Sequence, residues 1–346
     1  MTKEDSIIAA IEEDLRLQKE SDRLNIDSLG TEWGRKMLTE PRRFIEQGLK
    51  LKIQAIRNFR KDRIFVLDIP VGRQSVLNLL NIIDGARRGH ARMLKELLKV
   101  IEDAHYMELL KKYPCSEVGS PNIFKYRGYR FTLEWLRHIY FLGLFKKYLE
   151  REVQEDFTAL DLGCFYCVFS SLLKKEFKKS HHLLVDLPQQ LALAHYYLGS
   201  EFPSASIATY KDIADLNTID PDFVKKHDFI LIPCYFYDKI ARESIDVFTN
   251  FMSLQEMSRD FFNRYTKHEP FLSAKFLLTV NRYQSAPTYD NGLTILDYPL
   301  GDYKRLHFAT TPIVGERYKR TNLFFYTHFP YPSQHFEFIG RRQIKK

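Results

Sequence analysis

The chain has 346 residues, 45% of them hydrophobic and 28% charged, and its 52 lysines and arginines against 44 aspartates and glutamates give a net charge of +8. This balance is ordinary for a soluble globular protein of about two domains. The longest apolar runs, such as residues 139–145, fall far short of the roughly 18 residues that cross a bilayer, which excludes a membrane span.

The four cysteines are too few for a disulfide framework, and the acidic, amphipathic first residues do not resemble a secretory signal. We therefore expect free thiols and a cytoplasmic protein. The basic excess, concentrated in residues 41–63 and 341–346, suits nucleic acid, anionic lipid, an acidic small substrate or simply a solvated surface. Because no sequence signature of nucleic-acid binding accompanies the charge, we expect no nucleic acid partner.

Residues 1–112 are predicted to form a helical N-terminal region. Apolar residues recur there at helical spacing in three stretches, at 7–15, 79–83 and 93–101. Residues 113–150 predict a connecting hairpin and a helix. That helix begins after the N-cap Thr132, with Glu134 in its first turn.

Residues 151–346 are predicted to form an α/β domain with a doubly wound, mostly parallel sheet. Short β-rich segments alternate there with helical stretches, a rhythm typical of such sheets. The predicted strands are TALDLG (158–163), HHLLVD (181–186), FILIP (229–233), IDVFTN (245–250) and AKFLLTVNR (274–282). Helices are predicted at 168–178, 188–199 and 254–267. Two later runs, 305–313 and 320–329, could complete the sheet as an antiparallel pair.

The first two predicted strands end in residues that suit a nucleotide-like ligand. Asp161 and Gly163 close the first strand, and Asp186 ends the second, 23 residues after Gly163. This spacing fits one βαβ unit whose acidic residue binds the two hydroxyls of a ribose. Alternatively, Asp186 caps the helix that begins near Pro188. The rhythm of the strands favours the ribose-binding interpretation.

The segment CFYC places Cys164 and Cys167 at the start of the first helix. A dithiol at a helix N-terminus is typical of thioredoxin-like redox proteins, whose thiol pKa is lowered there. A zinc site would need His181 and His182 as partners, but adjacent histidines lack the spacing of a zinc finger. We favour buried cysteines in place of small loop residues, at limited steric cost where φ stays negative.

The segment after the fourth predicted strand carries polar residues that we expect to face the ligand cleft. Asn250 ends the strand, and Gln255 and Glu256 begin the next helix. Glu256 is a candidate general base toward a substrate hydroxyl. Alternatively, Ser253 and Glu256 form a capping box, in which the glutamate binds a backbone N–H.

Four stretches, ALDLGCFYCVFSSLL, LLVDLPQQLALAHYYL, IDVFTNFMSLQEM and FLLTVNRYQS, together resemble a family of bacterial sugar O-methyltransferases. The family belongs to the class I S-adenosylmethionine-dependent methyltransferases, which implies a Rossmann-like fold. The resemblance covers about residues 113–285. It implies S-adenosylmethionine as cofactor and a small-molecule sugar or glycan as substrate.

The resemblance also implies roles for individual residues. Those implied to hold the cofactor are Asp161, Gly163, Cys164, Phe165 and Tyr166 near its amino-acid part, Asp186 at the ribose, Leu187 at the adenine, and Asn250. Those implied to bind the acceptor are Ser253 and Gln255. Cys164 and Cys167 depart from the pattern, since the family usually has glycine or another small residue at these positions.

A sugar hydroxyl is a poor nucleophile at neutral pH, so methyl transfer requires a base or a polarising group. Glu256 is the first candidate and His268 the second. Three alternatives remain: methylation of another small-molecule hydroxyl, an inactive interaction protein with the same fold, and a dithiol oxidoreductase. The oligomeric state is left open.

Overall fold

The computed structural model describes residues 2–21, 53–61, 82–314, 317–320, 326–329 and 333–343. Most of the predicted basic segment 41–63, part of the predicted helical stretch 79–83, and the last three residues of the basic tail lie outside the described residues. The described helices are α1 (Lys3–Glu20), α2 (Ile53–Arg57), α3 (Ile82–Asp103), α4 (Met107–Lys112), α5 (Leu133–Leu149), α6 (Val168–Glu176), α7 (Pro188–Glu201), α8 (Tyr210–Ile213), α9 (Pro221–Val224), α10 (Arg259–Thr266) and α11 (Glu269–Ser273).

The described strands form one large sheet and two hairpins. The strands are β1 (Phe124–Tyr126), β2 (Tyr129–Phe131), β3 (Thr158–Leu162), β4 (His181–Asp186), β5 (Ile207–Ala208), β6 (Phe229–Pro233), β7 (Val247–Phe251), β8 (Phe276–Arg282), β9 (Tyr303–Thr310), β10 (Arg317–Arg320), β11 (Tyr326–Phe329) and β12 (His335–Arg342). The large sheet has the order β5-β6-β4-β3-β7-β8-β12-β9, and β1 pairs with β2 and β10 with β11.

The large sheet is mostly parallel. Strands β5, β6, β4, β3, β7 and β8 run in one direction, while β12 is antiparallel to both of its neighbours, β8 and β9. Strands β3, β6 and β7 are buried at every residue, as expected for strands covered by helices on both faces. The predicted doubly wound, Rossmann-like fold is confirmed, and each of the five strands predicted in the first part of the sheet is present.

The prediction that runs 305–313 and 320–329 pair with each other in the large sheet was wrong. Run 305–313 does enter the sheet as β9, but its partner is β12, a strand that the sequence analysis did not identify. In run 320–329, the described strand β11 pairs with β10 in a separate hairpin. Strand β12 was missed because it carries Glu337 in its buried part, where Tyr140 and His307 hydrogen-bond this carboxylate.

Helices cover both faces of the sheet. Helices α1, α3, α5, α6 and α7 share one hydrophobic cluster with the sheet, and residues of α8–α11 contribute to a second. Helix α1 buries the predicted apolar stripe of residues 7–15 against α7. No described helix combines the length and the apolar character needed to cross a membrane. The predicted boundaries at 112/113 and 150/151 stay predictions.

Helix α5 begins where the sequence predicts. The hydroxyl of Thr132 accepts a hydrogen bond from the backbone N–H of Trp135, which is an ordinary N-cap. The indole N–H of Trp135 donates to the carbonyl of Tyr113 at 2.9 Å. These contacts fix the first turn of α5, which lies beside the carboxyl ends of the central strands.

Glu176, the last residue of α6, connects three helical segments. Its carboxylate accepts hydrogen bonds from Lys112 at 2.8 Å, from the hydroxyl of Tyr113 at 2.5 Å, and from Lys146. Burial raises the pKa of Glu176, but these hydrogen bonds outweigh it and lower the pKa to about 2. The ionised carboxylate therefore stabilises the packing of α4, α5 and α6.

We expect Glu176→Gln to lower the free energy of unfolding by about 1–3 kcal/mol, because the largely buried carboxylate becomes a neutral amide and its hydrogen bonds to Lys112 and Lys146 lose their charge-assisted character. The folded pKa lies below the unfolded value of 4.5, so this stabilisation is present above pH 4.5 and is lost as the pH falls toward about 2. Urea unfolding from pH 7 to pH 3 should therefore show a smaller acid-induced loss in the variant.

Glu155→Gln is the matched control, since Glu155 forms an exposed ion pair with Lys179. It should change stability by less than about 1 kcal/mol. Equal losses in the two variants would contradict a special role for Glu176.

Candidate active site

A cavity of about 270 Å³ opens at the carboxyl ends of β3, β4 and β7. Ligands of doubly wound sheets bind at this edge, where neighbouring connections lead to opposite faces. The lining includes loop residues after each of these strands and two residues of α5. The lining residues include Glu134, His138, Asp161, Gly163, Cys164, Phe165, Tyr166, Asp186, Leu187, Cys234, Phe251, Met252, Ser253, Glu256, Met257 and Tyr265.

Gly163 forms the turn that follows β3. Its φ is +74°, in the left-handed region that favours glycine, and its N–H donates to the carbonyl of Val185 at 2.8 Å. A Cβ atom at this position would collide with the side chain of Ser253. Position 163 therefore needs glycine for two reasons, its backbone angle and the close approach of the loop after β7.

Asp186 lies at the end of β4 and binds the backbone of two loops. One carboxylate oxygen accepts from the N–H of Phe165 at 2.6 Å, and the other accepts from the N–H of Leu187 at 2.7 Å. The alternative role as a helix cap is wrong, because Leu187 is the N-cap of α7 and Pro188 follows it. Burial raises the pKa of Asp186 to about 6 despite the two hydrogen bonds.

Asp161 lies one strand away and is buried in the cavity wall. Its carboxylate accepts hydrogen bonds from the hydroxyls of Thr249 at 3.0 Å and Ser170 at 3.1 Å. Burial raises its pKa to about 7, and the nearby charge of Asp186 adds to the effect. Two carboxyl groups with raised pKa values in one cavity indicate a site suited to a positively charged or hydroxyl-rich ligand.

The two cysteines of CFYC are both buried, but their backbone conformations differ. Cys164 lines the cavity, whereas Cys167 is the N-cap of α6 and has φ +69°. The condition for a low steric cost, a negative φ, is therefore not met at Cys167, which adopts a conformation that glycine would adopt most easily. Phe165, between them, also has a positive φ of +50°.

The thiol chemistry is the opposite of what a redox dithiol requires. Burial raises the pKa of the thiols of Cys164 and Cys167, so both are held as neutral thiols, and both are free. A reactive dithiol needs a lowered pKa. Among the described residues, moreover, no cluster of three or more His, Cys, Asp or Glu side chains is placed to hold a metal ion.

The loop after β7 brings Ser253 and Glu256 to the cavity. Residues Leu254–Glu256 form one turn of 3₁₀-helix, and the hydroxyl of Tyr289 donates to Glu256 at 3.0 Å. The alternative capping box is wrong, since the hydroxyl of Ser253 donates to the carbonyl of Leu162 instead. Ser258 caps α10. The carboxylate of Glu256 therefore has no capping role and lies in the cavity lining.

Three predicted site residues do not line this cavity. Asn250 is fully buried and donates to the carbonyl of Leu162 at 2.7 Å and to the hydroxyl of Ser253 at 3.0 Å, so it shapes the site from behind. Gln255 is buried and accepts from the N–H of Arg282.

His268, the second candidate base, precedes α11 and lies outside the cavity lining. Its side chain is 47% exposed and its Nδ1 is 3.3 Å from a carboxylate oxygen of Asp238. The structure therefore removes it from the candidate bases.

Several lining residues were not predicted as part of the site, above all Glu134 and His138 from the first turns of α5. Their spacing of four residues places them on one face of the helix, a signal that the sequence does contain. The sequence pattern could not show that this face meets the cavity, because that depends on how α5 packs across the strand ends. Met257 belongs to the segment 253–257 that was expected to line the cleft, whereas Cys234, Phe251 and Tyr265 were missed because their places on the cavity wall depend on the packing of their own elements.

No family profile matches this chain, and no curated protein matches it by sequence. A methyltransferase domain of a bacterial Hen1 protein is similar in structure at 12% identity, over 61% of this chain and 100% of its own, with a TM-score of 0.35. A fibrillarin–Nop5p complex is similar at 15% identity, over 67% of this chain and 91% of its own, with a TM-score of 0.37.

A phosphoethanolamine N-methyltransferase 2 from Haemonchus contortus, solved with S-adenosylhomocysteine, is similar at 15% identity. The match covers 52% of this chain and 36% of its own, with a TM-score of 0.30. Similarities at this level identify neither a family nor a substrate, so the functional argument rests on the cavity itself.

The backbone difference between the two cysteines predicts different effects of the same substitution. Cys164→Gly and Cys167→Gly each remove one buried thiol and add the same backbone entropy to the unfolded chain. Only Cys167→Gly also relieves a left-handed conformation, which costs an ordinary residue roughly 1–2 kcal/mol. We expect Cys167→Gly to exceed Cys164→Gly in unfolding free energy by about 1 kcal/mol in urea titrations.

The reverse order of stability would contradict the left-handed backbone at position 167. Cys164→Ser and Cys167→Ser complete the comparison. Serine has nearly the side-chain size of cysteine but lacks the backbone freedom of glycine. The unfolding free energies of the two serine variants should therefore not differ in the way that those of the two glycine variants do.

Proposed function

We propose that the protein transfers a methyl group from S-adenosylmethionine to a hydroxyl group of a sugar. The observation that carries this proposal is the half-buried carboxylate of Asp186 at the end of β4, which lines the same cavity as the glycine turn after β3. A carboxylate so placed in a βαβ unit suits a ribose, because it accepts from both hydroxyls. The sugar as acceptor follows from the sequence resemblance.

The residues around Asp186 fit a nucleoside. Each carboxylate oxygen accepts one backbone hydrogen bond and retains a second lone pair for a hydroxyl. Leu187 follows Asp186 directly, Met257 and Tyr265 line the same cavity, and the three side chains offer apolar surface to an adenine. The loop from Gly163 to Tyr166 would then surround the amino-acid part of the cofactor.

The charge of the lining also supports the proposal. Four carboxylates line the cavity, those of Glu134, Asp161, Asp186 and Glu256, while no lysine or arginine is among its described lining residues. When bound, S-adenosylmethionine supplies a methyl group on a positively charged sulfonium, which these carboxylates favour electrostatically. A phosphate of a nucleotide-linked sugar would be repelled here, so such a substrate would present only its neutral sugar to the cavity.

On the acceptor side, Ser253 and Glu256 lie on the loop after β7, next to Phe251 and Met252. A carboxylate there can orient the acceptor by accepting a hydrogen bond from its hydroxyl, or it can take the hydroxyl proton. Exclusion of water by the neighbouring apolar side chains strengthens either interaction.

If Asp186 binds the ribose of the cofactor, removal of its carboxylate should weaken cofactor binding. Asp186→Ala should weaken binding of S-adenosylhomocysteine by about 1.5–3 kcal/mol, the scale for hydrogen bonds to a charged group. Isothermal calorimetry on the reduced protein measures this directly. Asp260→Ala, which removes a carboxylate outside the lining residues on α10, should leave binding unchanged. Absence of binding by the folded wild type would reject the assignment.

Glu256→Gln tests the acceptor side. Because the amide oxygen of glutamine can still accept the hydrogen bond from Tyr289, the melting temperature and S-adenosylhomocysteine binding should change little. Methyl transfer to sugar acceptors should fall on the order of tenfold or more, since the neutral amide loses a charge-assisted hydrogen bond to the acceptor. Turnover close to wild type would exclude Glu256 from the reaction.

A further inference from the structure

The ring of His138 has a defined proton position. Its Nδ1 lies 2.7 Å from the backbone carbonyl oxygen of Glu134, one turn earlier in α5. A carbonyl only accepts hydrogen bonds, so Nδ1 carries the proton, and a neutral ring then has a free electron pair on Nε2. His138 is part of the cavity lining.

The surroundings of His138 hold the ring in place and keep it neutral. Its centroid lies 5.8 Å from that of Phe141 and 6.4 Å from that of Phe251, which stack on each other at 4.4 Å. Burial lowers the pKa of His138, although the carboxylate of Glu134 acts in the opposite direction. The charged groups that act on it are Glu134 and Arg137 on its own helix and Arg60, and the cavity lining adds the titratable groups of Asp161, Asp186, Tyr166 and Glu256.

We propose that His138 Nε2 is the base that takes the proton of the acceptor hydroxyl; this rests on the proposed function. The O–H bond breaks and its proton passes to Nε2. The oxygen electron pair forms the new C–O bond to the methyl carbon. The sulfonium sulfur keeps the pair of the broken S–C bond, so a thioether and an imidazolium remain.

Neighbouring groups suit this role. Phe251 ends β7, and the acceptor loop with Ser253 and Glu256 follows directly, so His138 faces the acceptor side of the cavity. The charge that forms on the ring is stabilised by the carboxylate of Glu134, which also accepts a hydrogen bond from the hydroxyl of Tyr166. An imidazole is also a stronger base than a carboxylate, whose ordinary pKa is about 4. Glu256 then holds the acceptor hydroxyl.

The test compares wild type with His138→Gln, Glu256→Gln and the control His227→Gln, whose histidine contacts Ser206 outside the cavity lining. Calorimetry measures S-adenosylhomocysteine binding. Transfer of a labelled methyl group from S-adenosylmethionine is measured from pH 5 to pH 9 on a panel of UDP-hexoses and methyl hexopyranosides. Long-range proton–nitrogen NMR spectra report the tautomer of His138.

We expect all four proteins to bind S-adenosylhomocysteine equally. His138→Gln should lose transfer by on the order of 10²–10⁴. At saturating S-adenosylmethionine, wild-type transfer should fall at a pH below the ordinary histidine value of 6.5, because burial lowers the pKa of His138, and His138→Gln should lack this acid limb. Glu256→Gln should keep this pH profile at a lower rate, and the NMR spectra should show the Nδ1–H tautomer.

Transfer by His138→Gln at the wild-type rate, loss of the acid limb in Glu256→Gln rather than in His138→Gln, or an Nε2–H tautomer would each overturn the inference and leave the proposed function intact. Absence of S-adenosylhomocysteine binding by wild type would instead reject the proposed function. Binding without transfer to any sugar of the panel would reject the sugar acceptor, and the inference with it.

Discussion

The close approach of Gly163 to Ser253 determines the shape of the candidate site. It brings the loop after β3 against the loop after β7, and the buried amide of Asn250 holds both by donating to Leu162 and to Ser253. The cavity wall on this side is therefore backbone and small side chains. Glu256 is positioned by the same loop, so a larger residue at position 163 would displace both halves of the site together.

The cavity removes two carboxyl groups from water at an energetic cost. The pKa values of Asp161 and Asp186 are raised from 3.8 to about 7 and about 6, so the folded state binds protons more strongly than the unfolded chain. Each carboxyl group therefore reduces stability as the pH rises from 3.8 toward its folded pKa. A bound cation would offset this desolvation cost, and the ligand would then stabilise the fold beyond its own contacts.

The sequence predicted elements that depend on local pattern and failed where tertiary packing decides. Buried parallel strands, the N-cap Thr132 and the glycine turn at 163 each have a local signature, and the structure has all of them. Strand β12 was missed because it contains the buried charged residue Glu337. The carboxylate of Glu337 forms hydrogen bonds with Tyr140 and His307, which are distant from it in sequence. His138 was missed because its position depends on where α5 crosses the strand ends.

Phe165 and Cys167 both have left-handed backbone conformations, although neither is glycine. The backbone path of this loop therefore does not depend on glycine at these two positions. Glycine makes such angles easy but is not required for them, since surrounding packing can impose them on larger residues. A motif defined by spaced glycines would overlook this loop, while a search on torsion angles would retrieve it. A loop with this chain path can therefore be recognised by its torsion angles in proteins that lack glycine at the spaced positions.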